Sequence, residues 1–317
     1  MTTARLTPTQ LRRKAFALMR QCWKPLLIAA LLTTLLSSCG SLAIRYGQTM
    51  PARIEAAVFA EFEAANPRPA DPAALEDWEM ERIAHAYFSC ADIRGEQAEQ
   101  RWRFIGYGID LAAGLVSAVI LTGLYRGLLG ALRGSGEPIG LFEGLRRWKT
   151  AVWLKLRITF CMLGWLLIPL LPAAMLSAYW GAVGQLMATV MLMAVVCWGR
   201  MYYALALPRL ADGGVTASEC LAHNAADVRF FTVGGIARTA WPVLLVITAD
   251  VALDAAASFL PALTLPSALF SFAAEVGLSM AGWALMACIY EEIRRTGLLP
   301  AAKSTPMQDF RPPCRNA

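Results

Sequence analysis

Four acidic side chains interrupt the long apolar runs of this sequence. They are Asp110, Asp250, Asp254 and Glu275. The runs that hold them, residues 104–125 and 239–290, contain no lysine, arginine or histidine to pair with a carboxylate. A carboxylate at the centre of a bilayer costs roughly 2.5–3.5 kcal/mol, so such a group usually faces protein or water. It is then protonated, hydrated or bound to a cation. We therefore predict that these four residues are proton- or cation-binding candidates.

Two of these acids, Asp250 and Asp254, are four residues apart, a spacing that places them on one face of a helix. Counting along the helices puts all four acids in the outer half of a bilayer. The functional interpretation is a vestibule that handles protons or cations, with Asp250, one turn deeper than Asp254, as its best residue. The structural alternative is that the acids are hydrated near the outer interface or hydrogen-bonded to the backbone.

Composition and charge spacing indicate that a helical membrane protein positions these acids. The 317 residues are 57% hydrophobic and 16% charged, against roughly 45–50% and about 25% in soluble domains. A membrane-spanning helix needs about 20 apolar residues. The uncharged stretch between Arg157 and Arg200 is long enough for two spans, and a break near residues 181–184 divides it. The sequence predicts an all-α fold with six transmembrane helices, at residues 25–44, 104–125, 158–179, 184–204, 239–259 and 268–290.

The distribution of charge predicts that both termini are cytoplasmic. Residues 1–24 carry six basic and no acidic residues, whereas residues 46–100 carry four basic and eleven acidic ones. Lysine and arginine accumulate on the cytoplasmic side of a membrane. Residues 46–100 are thus expected to form an acidic outer loop of a membrane domain that covers residues 25–299. Within this loop, a helix is expected to begin at Pro72, with Leu75, Trp78 and Ile83 on one face. The tail, residues 300–317, is expected to be cytoplasmic and disordered.

The expected location is the bacterial cytoplasmic membrane. The formal net charge of the chain is +6. In a membrane protein, this basic excess indicates contact with the lipid bilayer and its anionic lipid heads at the inner face, rather than binding to nucleic acid.

Three amphipathic segments are predicted on the inner face, each before an outward-going span. They cover residues 8–24, 138–153 and 217–230. In the first segment the apolar residues fall on one stripe, which consists of Leu11, Ala15, Leu18 and Cys22. Thr7 with Gln10, and Thr216 with Glu219, have the spacing of capping boxes, which begin helices. Each segment ends in an aromatic residue beside a basic one, as is typical at lipid headgroups. The chain therefore resembles three copies of one plan: surface helix, span out, span back. Ordinary interfacial helices are the favoured interpretation, and binding of a partner or sensing of lipid by these helices is the alternative.

Two further motifs bear on processing and packing. Residues 36–40 resemble a bacterial lipobox, in which Cys39 would be lipidated after cleavage; retention of the first span is the favoured alternative. Gly123 and Gly127 form a GxxxG pair that can seat a close helix crossing.

The histidine, cysteine and aspartate of the outer loop match no metal-binding pattern. The sequence therefore predicts neither a metal nor a cofactor.

Several short segments resemble one bacterial membrane family. They are residues 11–23, Leu132-Arg133-Gly134, Pro138-Ile139, Leu141-Phe142-Glu143-Gly144-Leu145, Tyr203 through Leu210-Ala211-Asp212 to Ala217-Ser218-Glu219-Cys220-Leu221, and Ile289-Tyr290-Glu291-Glu292. The family is a multi-pass membrane family known only as a domain of unknown function, of the type nine-seventy-five. The resemblance implies a helical membrane protein and supplies no catalytic residue.

Three classes of function follow as hypotheses. The first is a non-enzymatic membrane or assembly factor that works through its surface helices, with a protein partner or as a homo-oligomer. The alternative is a transporter or channel for a small solute or cation, coupled through the carboxylates in the spans. A lipid-modifying enzyme is the third, but it needs a polar catalytic cluster that the sequence does not show.

Overall fold

A computed structural model describes residues 6–135, 139–213, 215–222 and 264–296. Within these ranges the regular structure is helical and includes no strand, which confirms the all-α prediction. The chain divides into two compact units. The larger unit comprises Met1–Leu32 and Leu115–Ala317, and the smaller unit comprises Thr33–Gly114.

The described helices are of very different lengths. Their bounds are α1 (Pro8–Gln21), α2 (Trp23–Gln48), α3 (Met50–Ala65), α4 (Pro72–Phe88), α5 (Ala91–Arg133), α6 (Trp148–Tyr179), α7 (Gly181–Tyr203), α8 (Ala206–Asp212) and α9 (Thr264–Arg295). A 3-10 helix, Leu141–Arg147, precedes α6, and a further helix begins at residue 217. Four stretches are long and apolar enough to cross a membrane: Trp23–Ala65, Ala91–Arg133, Leu141–Leu176 and Leu269–Arg295.

Large apolar side chains cover the sides of these long helices. On α6, for example, Phe160, Leu167, Ile168 and Leu171 are between 66% and 77% exposed. Water-soluble proteins rarely expose contiguous apolar surface on this scale, because each exposed side chain forgoes the free energy gained by leaving water. The exposed surface and the helix lengths together identify a helical membrane protein with several spans.

The residues of five predicted spans are helical. Those spans lie within α2, α5, α6, α7 and α9, although α7 ends one residue earlier than predicted. The fifth predicted span, residues 239–259, lies outside the described residues, as does the tail 300–317. Between α6 and α7 the chain turns at Gly181, whose φ is 55°, a value that glycine adopts at little cost. The predicted break near residues 181–184 is confirmed, and α6 and α7 pack against each other.

Helix α1 begins with the predicted capping box. The backbone N–H of Gln10 donates to Thr7 Oγ1 at 3.3 Å, and the N–H of Thr7 donates to Gln10 Oε1 at 2.8 Å. The predicted apolar stripe is buried and consists of Leu11, Ala15, Leu18 and Cys22. Because α1 packs against α9, this stripe rests on protein. The interpretation of α1 as an ordinary interfacial helix stays a prediction.

The prediction of one amphipathic helix over residues 138–153 is wrong. The chain forms the 3-10 helix Leu141–Arg147 instead, and α6 begins directly after it at Trp148. Gly144 explains the difference, because a Cβ placed on it would lie 2.0 Å from the carbonyl oxygen of Val119 in α5. This close approach to α5, together with the low helix propensity of the segment's glycines, keeps the segment in a tight turn.

A buried apolar cluster joins the start of α6 to α8 and to the helix that begins at residue 217. Its members are Ala151, Leu154, Ala206, Leu210, Ala217 and Cys220. Val119 of α5 and Val215 pack against this cluster. Val215 thus packs against the cluster that contains Cys220, as a hydrophobic staple at the start of this helix requires. These contacts fix the positions of the helix ends that carry the candidate site.

The smaller unit contains a hairpin of helices α3 and α4. Trp78 of α4 is buried against Phe62 of α3, with ring centroids 5.7 Å apart, and its indole N–H donates to the carbonyl of Asn66 at 2.9 Å. The predicted outer loop, residues 46–100, is thus largely helical. Ile83 was expected on the same face as Trp78, but it is 61% exposed and points away from α3.

Candidate functional site

Charged side chains from the C-terminal ends of three helices meet in one place, the end cluster. Its members are Arg133 of α5, Asp212 of α8, and Glu291 and Arg294 of α9. Arg133 Nη1 donates to Asp212 Oδ1 at 2.5 Å, and Arg133 Nε and Nη2 donate to Glu291 Oε2 at 3.0 and 2.8 Å. Arg294 Nη1 lies 3.6 Å from Asp212 Oδ1 and 3.9 Å from Glu291 Oε2. Arg133 therefore bridges acids of two other helices.

The position of these residues at helix ends explains why they pair. A helix C-terminus carries a partial negative charge, which favours Arg133 at the end of α5 and disfavours Asp212 at the end of α8. The side chains of Asp212 and Glu291 are only 14% and 10% exposed. A carboxylate that loses most of its water needs a charged partner and hydrogen bonds to remain ionised. The two arginines provide both.

Two further polar side chains extend the end cluster. The Tyr290 hydroxyl donates to Asp212 Oδ2 at 3.1 Å, and Arg209, which is 5% exposed, lies beside the same hydroxyl. Two residues after Tyr290 in α9, Glu292 Oε1 accepts a hydrogen bond from the N–H of Leu6 at 3.2 Å. The chain immediately before α1 is therefore attached to the same end of α9.

The glycines of α5 form the close crossing that the sequence predicted. A Cβ on Gly123 would lie 2.2 Å from the carbonyl oxygen of Leu141, and one on Gly127 would lie 2.4 Å from Ile139 Cγ2. Gly144 faces Gly123 from the other side, since a Cβ on Gly144 would lie 2.9 Å from the Gly123 nitrogen. The partner in this crossing is thus the 3-10 helix and the residues just before it. The crossing holds the end of α5 that carries Arg133.

The helix that begins at residue 217 starts with the second predicted capping box. The N–H of Glu219 donates to Thr216 Oγ1 at 3.4 Å, and the N–H of Thr216 donates to Glu219 Oε2 at 2.8 Å. The hydrogen bonds from Thr216 hold the pKa of the Glu219 carboxyl below its usual value. Cys220 follows and is fully buried. Burial raises the pKa of its thiol to about 11, against the opposing influence of Arg209 and Arg147, so this thiol is structural rather than reactive.

Among the predicted carboxylates, Asp110 lies at a close helix crossing within the smaller unit. A Cβ on Gly40 of α2 would lie 1.9 Å from Asp110 Oδ1 and 2.9 Å from the carbonyl oxygen of Gly106. Asp110 is half-buried, and no hydrogen bond or ion pair joins its carboxylate to another described residue. The glycine thus leaves just enough room for a carboxylate that has no cationic partner in the described part of the chain.

The other three predicted acids do not join Asp110 in a described site. Glu275 is exposed on α9 and belongs to the larger unit, whereas Asp110 belongs to the smaller one. Asp250 and Asp254 lie outside the described residues. The predicted vestibule of four carboxylates therefore stays a prediction.

The lipobox cysteine, Cys39, lies inside α2, which is helical from residue 23 to residue 48. Its thiol is exposed, and Sγ donates to the carbonyl of Leu35 at 3.3 Å. In the ranges that the structure describes, no group of three or more histidine, cysteine, aspartate or glutamate side chains could hold a metal ion.

Helices α2 and α6 begin in the same way, with an exposed tryptophan followed by a lysine. Trp23 and Trp148 are each 50% exposed. In both pairs the lysine Nζ, from Lys24 or Lys149, lies 5.8 Å from the centroid of the tryptophan ring. An aromatic ring beside a cation is the arrangement that anchors a helix at lipid headgroups. Two of the three predicted copies thus share this start, and the third, at Arg229 and Phe230, lies outside the described residues.

Sequence reasoning did not single out the end cluster. Arg133 is 79 positions from Asp212 and 158 positions from Glu291, so no local pattern connects them. One signal was available. Each of the three residues lies in a different segment of the family resemblance.

Comparison with known proteins adds no further assignment. Neither the family models nor the curated proteins nor the solved structures contain a match to this chain.

Proposed function

We propose that this chain is a six-span protein of the bacterial cytoplasmic membrane, with both termini inside, and that it acts as a non-enzymatic membrane or assembly factor. The end cluster is the observation that carries this proposal. Two arginines face two carboxylates there, so the charges that meet neutralise one another. Their effect is to hold the ends of three helices together. Fixed helix ends of this kind suit a framework that presents its surfaces to lipid and to partners.

The inner-face surface supports the same function. Phe142, Leu145 and Trp148 are between 50% and 69% exposed, and they alternate with the exposed cations Arg146 and Lys149. Apolar side chains interleaved with cations bind a surface that offers both acyl chains and anionic heads. This surface would hold the framework at the inner leaflet.

The test is to purify the full chain from its own membranes in a mild detergent and to weigh the intact assembly by native mass spectrometry. An assembly factor is expected to retain a second protein, or a second copy, in a fixed ratio. The complex with Arg133→Gln should dissociate more readily, because that change loosens the framework. A clean monomer, without partner in both detergent and lipid discs, would contradict the proposal.

A second candidate function is transport of a small cation or proton, and Asp110 favours it. This carboxylate is half-buried at a glycine crossing and has no basic partner in the described residues, so it could take up a proton or a cation. Flux of protons and alkali cations into vesicles that contain the purified chain tests this function. Flux that disappears in Asp110→Asn but persists in Glu96→Gln, an acid of the same helix α5, would support transport. Vesicles that are no more permeable than protein-free ones would exclude it.

We also propose that the chain is a divergent member of the family of unknown function that it resembles. The support is spatial: the segments that carry the resemblance contribute Arg133, Asp212 and Glu291 to the end cluster, and Gly144 to the crossing with α5. If the family shares this arrangement, its other members should carry oppositely charged residues at the three positions.

A further inference from the structure

Helix α4 exposes an apolar stripe on the face opposite to α3. Met80, Ile83 and Tyr87 are 68%, 61% and 76% exposed. Their spacing of three and four residues puts them within roughly 60° of arc on a helix of 3.6 residues per turn. Trp78 is on the other side of the helix, where it packs against Phe62 of α3. We call Met80, Ile83 and Tyr87 the α4 stripe.

Acidic side chains border the α4 stripe on both edges. Glu79 lies along one edge, and Asp77 and Glu81 lie along the other, while Glu76 lies one turn before Met80 in line with the stripe, as their positions on the helix require. All four are exposed, and none forms an ion pair with another described residue. The nearest cation on α4, Arg82, belongs to the opposite face, where it pairs with Glu63 of α3 at 2.9 Å.

A helix with apolar side chains at these spacings can bind another helix, because the side chains fill the groove between two turns of the partner. The acidic edges then determine the charge of that partner. A second copy would bring four more acids to the same contact, and like charges at an interface are unfavourable. An anionic lipid surface is unfavourable for the same reason.

We infer that the α4 stripe is a docking surface for a basic amphipathic helix of another protein, whose apolar face covers Met80, Ile83 and Tyr87 and whose lysines or arginines face the acidic edges. This inference deepens the proposed function of an assembly factor and rests on it. It names the chemistry of one partner and the face of the smaller unit that receives it.

The test uses the purified full chain in discs of neutral phosphatidylcholine and a fluorescent peptide of about 18 residues, five helical turns. The peptide contains only leucine and lysine, spaced so that one face is apolar. Fluorescence anisotropy measures its binding. The comparison peptides are a scrambled sequence of the same composition and a version with glutamate in place of lysine. The basic inner face of the protein repels the lysine peptide, so that face does not contribute to the signal.

Binding of the lysine peptide at least about tenfold tighter than either comparison peptide is expected. The pair of changes Ile83→Ser and Tyr87→Ser should weaken binding by a further factor of about ten or more. So should Glu76→Gln with Glu79→Gln. The matched control is Glu55→Gln with Glu61→Gln, which removes the same charge from exposed positions of α3 and should change the dissociation constant less than about twofold.

Three results would overturn the inference. They are absence of binding, equal binding of the scrambled peptide, and an equal effect of the α3 control. Formation of a dimer that is lost with Ile83→Ser would also overturn it, because the occupant would then be a second copy. These outcomes are distinct from failure of the proposed function, which depends on whether the native chain retains any partner in a fixed ratio. A chain that retains a partner but ignores the peptide contradicts this inference alone.

Discussion

Arg133 donates to acids on two other helices, so neutralising it leaves Asp212 and Glu291 with poorer partners. Because these two side chains are only 14% and 10% exposed, we expect Arg133→Gln to lower the free energy of unfolding by about 1–3 kcal/mol, less than for a fully buried pair. Thermal unfolding in detergent measures the change. The control is Arg103→Gln, which breaks an exposed i,i+4 pair with Glu99 and should cost about 0–1 kcal/mol. Equal effects of the two changes would contradict a special role for the end cluster.

Cys220 provides a second prediction at the residue scale, this time from pH. Its thiol is fully buried and has a pKa of about 11, so little thiolate exists at neutral pH, and the thiolate is the form that reacts. In a variant whose sole cysteine is Cys220, the maleimide labelling rate should rise about tenfold per pH unit while the protein stays folded. A variant with Cys90 alone, which is exposed, should label quickly at neutral pH. Rapid labelling of Cys220 at neutral pH would contradict this prediction, because it would show that the thiol is accessible to solvent.

At the scale of the element, the 3-10 helix depends on the absence of a side chain at Gly144. An added Cβ would lie 2.0 Å from the carbonyl oxygen of Val119, so Gly144→Ala must displace the segment from α5. We expect a loss of about 1–3 kcal/mol, seen as a lower unfolding temperature. Gly164→Ala in α6 is the matched control. A Cβ there meets nothing within 4 Å, and alanine favours the helix by up to about 1 kcal/mol. If Gly144→Ala were as stable as the control, the close crossing would be absent.

Helix α1 packs on α9 through one stripe, and this gives the second element-scale prediction. Leu18 is 3% exposed, whereas Phe16 on the same helix is 58% exposed. We expect Leu18→Ala to destabilise the protein by about 2–5 kcal/mol and to make α1 more sensitive to protease. Phe16→Ala should change neither quantity in detergent. The opposite order of effects would mean that the stripe does not pack on α9.

Local features of these elements were predictable because their causes lie within a few residues. The capping boxes at Thr7 and Thr216 are examples, since each joins residues only three positions apart. The apolar runs of the spans are equally visible in the sequence. The 3-10 helix was not predictable, because the reason for it is the backbone of α5 across the crossing. The direction of Ile83 was also missed, since the apolar residues of α4 do not reveal which of them meets α3.

At the scale of the whole molecule, the end cluster is a feature that a single sequence cannot predict. Its residues come from three helices that are distant along the chain, and only the fold brings them together. Of the two predicted carboxylates that lie in the described residues, Asp110 is at a close crossing. The sequence was sufficient for the class of protein and the ends of many helices. It was insufficient for contacts made across the bundle.

For the whole molecule, the orientation that we propose places α3 and α4 outside the membrane and the 3-10 helix with the end cluster inside. The most direct measurement is labelling of intact spheroplasts with a membrane-impermeant maleimide, in variants with a single cysteine. Native Cys90 is exposed and reports the α4 side, and Arg146→Cys places a cysteine at an exposed position of the 3-10 helix. We expect Cys90 to label at once and position 146 to label only after the membrane is permeabilised. Labelling of position 146 but not of Cys90 in intact spheroplasts would contradict this orientation.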